Sequence, residues 1–169
     1  PSIERIYDRE GDAVYDIEVT TNRVDAMSVR GIAREAAVIL NHAGIAATLK
    51  PLQSSNVQTQ DLASLPAHNP ASLPKIVHNS NLCPRIMCVV LSNVQRNPTP
   101  DWMAKRLLQV EMNVHDAVID ITNYITHELG HPCHAFDYDK IMALGGSIIV
   151  KEADKGKKFV TLDGVEYET

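Results

Sequence analysis

Residues 116–130 read DAVIDITNYITHELG, and this stretch decides the helical half of the fold. Asp116 is a residue type that caps helix N-termini, and Gly130 is typical of a helix C-terminus. The apolar residues between them recur at helical spacing; they are Val118, Ile121, Ile125 and Leu129. The stretch therefore predicts a helix that begins after Asp116 and stops at Gly130.

Upstream, the sequence predicts a helix that runs to about Asn41. It begins after a cap at Asp25 or Ser28, and Gly44 lies just beyond its end, where a glycine is expected. Its apolar stripe consists of Val29, Ile32, Ala33, Ala36 and Leu40.

Another helix is predicted from Thr99-Pro100-Asp101 to about Glu111. This tripeptide combines a capping hydroxyl, a proline at the first helical position and a carboxylate near the positive end of the helix dipole. Four of its side chains are expected to point inward: Trp102, Met103, Leu107 and Val110.

Four segments have the patterns of strands. Residues 12–20 alternate between apolar and polar types, which predicts a half-buried strand. Residues 85–94, RIMCVVLSNV, are apolar on both faces and predict a central strand that is covered on both sides. Residues 147–152 and 158–162 predict two more strands, and LDGV at 162–165 predicts a hairpin.

The domain organisation follows from composition. Residues 50–74 are rich in Gln, Ser, Asn, Ala and proline, which predicts a connector with one short helical turn at 61–65. It separates a strand–helix part, residues 1–49, from a main core, residues 75–169. The prediction is a single domain of the α+β class, with helices flanking a curled, barrel-like, largely antiparallel or mixed sheet. Because the chain starts with proline and stops inside a predicted hairpin, we expect a fragment of a longer protein, truncated at its C-terminus.

Charge and cysteine usage exclude several classes of protein. The net charge is −5, from 16 Lys and Arg against 21 Asp and Glu, which argues against a DNA-binding protein or a general RNA-binding protein. Contact with a short RNA end stays open if other domains supply positive charge. No apolar run is long enough for a membrane span. The three cysteines form no C-x-x-C pair, which favours a reducing, cytoplasmic setting over disulfides or a zinc knuckle.

Residues 127–131 read HELGH, which matches the zinc-protease pattern H-E-x-x-H. That pattern requires both histidines on one continuous helix. Gly130 lies inside the motif and Pro132 follows it, so the helix should end before the second histidine. We therefore predict no bound metal, and the zinc-protease interpretation is the weakest of those considered.

Two stretches of the chain resemble a known family. The first runs from DIEVT at residue 16 to GIARE, which ends at residue 35. The second comprises CPRIMCVVL, PTPDWMAKRLL, VIDITNYITHELGHPCHAFDYDKI and KGKKFVTLDG. Together they are similar to the editing region of the β subunit of bacterial phenylalanyl-tRNA synthetase. The resemblance covers nearly the whole chain outside the connector, and its most specific part is the pattern DxTNYxxxELGxPxHAFD.

The resemblance implies a site and a reaction. The family's editing pocket uses a Thr-Asn pair and a histidine eleven residues after the Asn. This implies that His134 is catalytic and that Thr122, Asn123 and Ala135 bind the substrate. The implied reaction is hydrolysis of the ester that joins a wrongly attached tyrosine to the 3′ end of tRNA(Phe). The family also uses a downstream glutamate and a glycine-rich segment, neither of which lies within residues 1–169.

Simpler roles stay open for the same side chains. Thr122 could bond a helical carbonyl, Asn123 could serve as a cap or turn residue, and His134 could be a satisfied strand histidine. The chain also departs from the family where Asp116-Ala117 replaces the usual Asn-Asn. His131 and Cys133 stand where the family commonly has Gln and Leu; Cys133 is expected to be a small buried residue.

The resemblance also implies partners. These are the synthetase α subunit in an α2β2 assembly and the acceptor end of tRNA(Phe), in the cytoplasm. ATP and magnesium are implied for the full enzyme and no cofactor for this fragment. A non-catalytic module that positions tRNA or packs subunits, with editing lost, is the main alternative.

Overall fold

The computed structural model describes residues 1–52, 73–161 and 164–169. Their contacts divide the chain into two compact units. The first unit comprises Pro1–Ser55 and Asn93–Ala135, and the second comprises Asn56–Ser92 and Phe136–Thr169. The predicted connector lies mostly outside the described residues, and its predicted helical turn at 61–65 lies wholly outside them.

The first unit opens with a β-hairpin. Strand β1 (Ser2–Arg9) pairs antiparallel with β2 (Asp12–Glu18), so the strand predicted at 12–20 is confirmed. The turn residues Glu10 and Gly11 both have positive φ, at 56° and 80°, as a two-residue hairpin turn of this twist requires. Strand β1 was not predicted from the sequence.

Helix α1 (Val29–His42) follows a short 3-10 turn at Val24–Ala26. The Ser28 side chain caps it by accepting a hydrogen bond of 2.8 Å from the Gly31 N–H. Beyond its end, Gly44 has a φ of 81°, and the Ile45 N–H donates back to the Leu40 carbonyl at 2.9 Å. The predicted cap and stop of this helix are confirmed.

Helix α2 (Asp101–Gln109) begins where the proline predicts, but without the predicted cap. Pro100 occupies the cap position, and the Thr99 hydroxyl is directed to another partner, Asp120. Met103 and Leu107 are buried, as predicted. Trp102 and Val110 are exposed, so half of the predicted inward set is wrong.

Helix α3 (Ala117–Leu129) is the helix predicted from the opening stretch. One Asp116 carboxylate oxygen accepts from the Val118 and Ile119 N–H groups, at 3.0 and 3.1 Å. Gly130 ends the helix with a φ of 77°. Since Asp and Asn cap helices about equally well, Asp116 preserves the local structure despite its departure from the family pattern.

The contact between α2 and α3 combines ring and charge interactions. Trp102 meets Tyr124 edge to face, with ring centroids 5.4 Å apart. Arg106 donates a 2.5 Å hydrogen bond to the Tyr124 hydroxyl, and its guanidinium lies 5.5 Å from the Trp102 ring centre. Met103 and Leu107 of α2 are buried, and a third buried apolar residue, Ala26, lies in the 3-10 turn before α1. A small core is thus supplemented by polar and aromatic contacts at its rim.

The second unit contains two small sheets. Strand β3 (Lys75–Asn79) pairs parallel with β4 (Ser147–Lys151), which follows helix α4 (Tyr138–Ala143). Strands β5 (Lys158–Val160) and β6 (Glu166–Glu168) pair antiparallel. This confirms the predicted strands and the hairpin pairing, although residues 162 and 163 lie outside the described residues.

The predicted barrel-like sheet is wrong. The chain is α+β, but its described strands form three separate two-stranded sheets, and none is curled into a barrel. The reason lies in residues 85–94, predicted as the central strand. They form no ladder and leave Met87, Val89 and Leu91 between 70% and 75% exposed. An apolar, β-branched composition shows that a segment can pair as a strand, but not that a partner strand is present. The composition of residues 85–94 therefore led to a wrong strand prediction.

Candidate functional site

The predicted substrate-binding pair lies in the second turn of α3. Thr122 and Asn123 are both half-buried and both within the helix, so Asn123 is neither a cap nor a turn residue. The Thr122 hydroxyl donates a 2.7 Å hydrogen bond to the Ile119 carbonyl. A hydroxyl that donates once keeps its acceptor lone pairs, so Thr122 can still accept from a water or a substrate group.

The segment after α3 returns alongside the helix. Gly130 turns the chain, and the Cys133 thiol then donates to the Thr122 carbonyl at 3.7 Å. This contact brings the residue before His134 onto the helical turn that carries Thr122. Cys133 is exposed, so its predicted burial is wrong.

His134 and Ala135 follow Cys133 as exposed residues outside any strand. The interpretation of His134 as a satisfied strand histidine is therefore wrong. An exposed imidazole on the return segment can donate a hydrogen bond to a bound ligand or accept one from it.

Gly130 also sets how closely α3 approaches α1. A Cβ built on Gly130 would lie 2.9 Å from the Met27 carbonyl oxygen and 3.0 Å from the Ser28 Cβ. Any larger residue would therefore push the end of α3 away from the cap of α1. A glycine is needed here both for the positive φ and for this close approach.

The start of α1 is held by an ion-pair network. The Arg23 guanidinium bonds the Asp25 carboxylate at 3.0 and 3.1 Å and the Glu35 carboxylate at 2.5 and 3.2 Å. Arg34 adds a 3.0 Å bond to Asp25. Hydrogen bonds from Arg23 hold the pKa of Asp25 and the pKa of Glu35 below the ordinary carboxyl range. The network lies within the first family-like stretch and keeps the α1 cap in place.

The other end of α3 is held by a buried carboxylate that was not predicted from the sequence. Asp120 is 0% exposed and accepts from the Thr99 hydroxyl. Its two oxygens also lie 3.1 and 3.0 Å from the His115 backbone nitrogen, whose N–H they accept. The signal in the sequence was an aspartate within the apolar run VIDI, since carboxylates are rarely fully buried without partners.

The metal motif is broken as predicted. His127 lies in the last turn of α3, whereas His131 lies beyond Gly130 and outside the helix. In the described part of the chain, no three His, Cys, Asp or Glu side chains are grouped to hold a metal ion. The donor set therefore does not fit magnesium or zinc, and the absence of bound metal stays a prediction.

A cavity of about 290 Å³ lies between α1, the segment at residues 48–50 and Glu128. None of the four predicted site residues lines it. A basic patch of four lysines, residues 151, 155, 157 and 158, lies in the second unit. There the Asp154 carboxylate pairs with Lys157 and Lys151 at 3.0 and 3.1 Å. Hydrogen bonds from these lysines lower the pKa of Asp154, so the patch is partly neutralised.

Residues 82–169 match the family model described as B3/4 domain. The chain belongs to the B3/4 domain family. It is 39% identical over 155 residues to the phenylalanine--tRNA ligase beta subunit of Geobacter metallireducens, a match that covers 92% of this chain and 18% of that protein. The B3/4 chain is 36% identical to the subunit of the same name from Carboxydothermus hydrogenoformans, with 98% of this chain and 19% of that protein covered.

A third relative, from Bacteroides fragilis, has the same name and is 36% identical over 162 residues, covering 95% of the B3/4 chain and 18% of the relative. The resemblance drawn from the sequence is confirmed by these matches. The chain spans about a fifth of the length of these curated relatives. Among the described residues of the B3/4 chain, no helix is long and apolar enough to cross a bilayer.

Proposed function

We propose that this B3/4 chain is the editing region of a phenylalanine–tRNA ligase β subunit and hydrolyses Tyr-tRNA(Phe). The observation that carries the proposal is the 3.7 Å contact from the Cys133 thiol to the Thr122 carbonyl. It brings the return segment that bears His134 against the helix that bears Thr122 and Asn123. The names of the relatives support the same enzyme.

Hydrolysis of this ester requires few catalytic groups at the site. A pocket that accepts phenylalanine cannot strongly reject an isostere that adds only a hydroxyl, so selection there is worth about a hundredfold. A second site that hydrogen-bonds the phenol can favour tyrosine by ~10⁴ or more. The ester is already activated, so an oriented water and polar contacts to the developing oxyanion suffice.

The residues take distinct roles in this proposal. His134 bonds the attacking water or the terminal ribose, Asn123 supplies a polar contact, and Thr122 accepts a hydrogen bond because its own proton is used within the helix. Ala135 leaves room for the ligand beside His134. None of these four residues is assigned to read the phenol, so the isolated chain should be nearly inactive by itself.

The assembled ligase tests the proposal. His134→Ala should slow hydrolysis of Tyr-tRNA(Phe) by ~10²–10³, the effect of losing one hydrogen bond to the transition state. Phenylalanine charging should stay near the wild-type rate, because the synthetic site is proposed to lie in the α subunit. His127→Ala is the matched control, since that histidine is also exposed and lies in the last turn of α3, ahead of the return segment that carries His134. If His134→Ala abolished charging as well, the residue would be structural.

A packing module remains the second candidate. The exposed apolar side chains of residues 85–94 support it, because such a surface is stabilised by contact with another protein surface. A wild-type ligase that charges phenylalanine but does not hydrolyse Tyr-tRNA(Phe) would favour the packing module over the editing function. Cytoplasmic location, the α2β2 assembly, tRNA(Phe) binding and the use of ATP and magnesium by the whole enzyme belong to the same proposal.

The zinc-protease alternative has its own test. The ligase should contain no stoichiometric zinc after purification without added metal. One zinc per chain that disappears in the His127→Ala variant would restore that alternative.

The isolated chain should bind tRNA weakly, with a shallow salt dependence, because of its net charge of −5.

A further inference from the structure

Asp120 is the buried group that the proposed mechanism leaves unused. It is 0% exposed in a helix whose neighbouring positions are mostly apolar. Burial of a carboxylate costs free energy unless hydrogen bonds replace its water. Here the Thr99 hydroxyl and the His115 N–H supply those bonds.

The two donors come from different segments. Thr99 lies just before α2, and His115 lies just before α3. The Asp120 carboxylate therefore links the segment that leads into α2 with the segment that leads into α3. A third bond runs beside it, from the Ala117 N–H to the Asn97 carbonyl at 3.1 Å. Together these bonds fix where α3 begins and how it is rotated against residues 97–99.

The proposed site lies directly downstream on the same rigid element. Asn123 follows Asp120 by three residues and is therefore on the same side of the helix. Thr122 directly precedes Asn123 on this helix. A displacement of about 1 Å at a catalytic contact can cost ~10²-fold in rate. A small rotation of α3 would move both residues relative to His134, which lies on the return segment.

We propose that Asp120 is a positioning residue for ester hydrolysis and that Thr99 is its partner. The inference rests on the proposed function. An apolar residue could fill the same space, but it would accept no hydrogen bond and would leave α3 free to settle in more than one rotation. Buried polar networks that are fully satisfied specify one arrangement, and this one specifies the orientation of Asn123 and Thr122.

The test uses the assembled ligase with three variants: Asp120→Asn, Thr99→Val and Thr99→Ser. Asp120→Asn keeps the size of the side chain but replaces one acceptor oxygen with a donor. We expect it to lower kcat for Tyr-tRNA(Phe) hydrolysis by ~10–10²-fold while KM and phenylalanine charging stay near wild type. Thr99→Val should give a similar loss of kcat. Thr99→Ser should retain most of the wild-type kcat because it keeps the hydroxyl.

Thermal melting of each variant separates positioning from folding. If a variant melts like the wild type and hydrolyses slowly, and Thr99→Ser restores the rate, the proposal stands. It is overturned if Asp120→Asn or Thr99→Val melts normally and hydrolyses at the wild-type kcat. It is also overturned if rate and melting temperature fall together in all three variants. A wild-type ligase without hydrolysis would instead overturn the proposed function itself.

Discussion

The two ends of α3 are built on opposite principles. At its start, Asp120 is completely buried and satisfied by donors from two segments. At its end, Gly130 turns the chain into a run of exposed residues that includes Cys133 and His134. One end of the helix therefore fixes position, while the other presents side chains to a ligand. Substitutions at each end should separate these two roles.

The largest effect is expected at the buried end. Asp120→Ala should lower the free energy of unfolding by about 3 kcal/mol, because it leaves buried donors unpaired and opens a small void. Denaturant unfolding of the B3/4 chain measures this change. Glu128→Ala, at an exposed carboxylate on the same helix, is the control and should stay within about 0.5 kcal/mol of wild type. Equal losses in the two variants would remove the contrast.

At the exposed end, Gly130→Ala should cost about 2 kcal/mol. The positive φ accounts for part of this cost, and the 2.9 Å approach to the Met27 carbonyl accounts for the rest. Gly44→Ala separates the two contributions, since Gly44 has a similar φ of 81° and a Cβ added there would meet nothing within 4 Å. It should cost about 1 kcal/mol. Thermal melting of both variants would show whether the close approach adds to the backbone strain.

The ion-pair network at the start of α1, beside the exposed end of α3, should respond to acid. Since the pKa values of Asp25 and Glu35 are lowered in the folded chain, their stabilisation is present above the ordinary carboxyl pKa of ~4. It is lost as the pH falls through the lowered values. The melting temperature should therefore drop more steeply below pH ~4 in the wild type than in Arg23→Gln. Parallel profiles would mean that the Arg23 network does not stabilise the α1 cap next to Gly130.

The smallest effect is expected for His134→Ala. Because the side chain is exposed, its loss should change the free energy of unfolding by less than about 0.5 kcal/mol. Denaturant unfolding of the chain provides the measurement. A loss above about 1 kcal/mol would make His134 a folding residue and would weaken its proposed role in hydrolysis.

Local signals predicted the helices well. Ser28, Asp116, Gly44 and Gly130 act within a few residues of themselves, so their capping roles could be derived from sequence spacing alone. The break in the metal motif could be predicted for the same reason. Gly130 also reverses the chain after α3, so that Cys133 contacts the Thr122 carbonyl. That these two segments form the site stays a prediction.

Long-range choices were not predictable in the same way. Thr99 was expected to cap α2, but its hydroxyl bonds Asp120, 21 residues further on. The inward face of α3 was judged from apolar periodicity, yet Ile121 is exposed and Asp120 is buried. The partner of a polar group depends on which segments meet in space. The strand prediction for residues 85–94 was wrong for the same reason, because a strand also needs a partner from elsewhere in the chain.

Trp102 is the single tryptophan among the 169 residues, and it lies beside Tyr124 and Arg106 at the junction of α2 and α3. Its indole is 54% exposed, so it senses both solvent and the neighbouring ring. Tyr124 directly follows Asn123 on the helix that carries the proposed substrate contacts. The emission of this one indole is therefore a built-in optical probe of how that helix is seated, and no second indole in these residues adds to the signal.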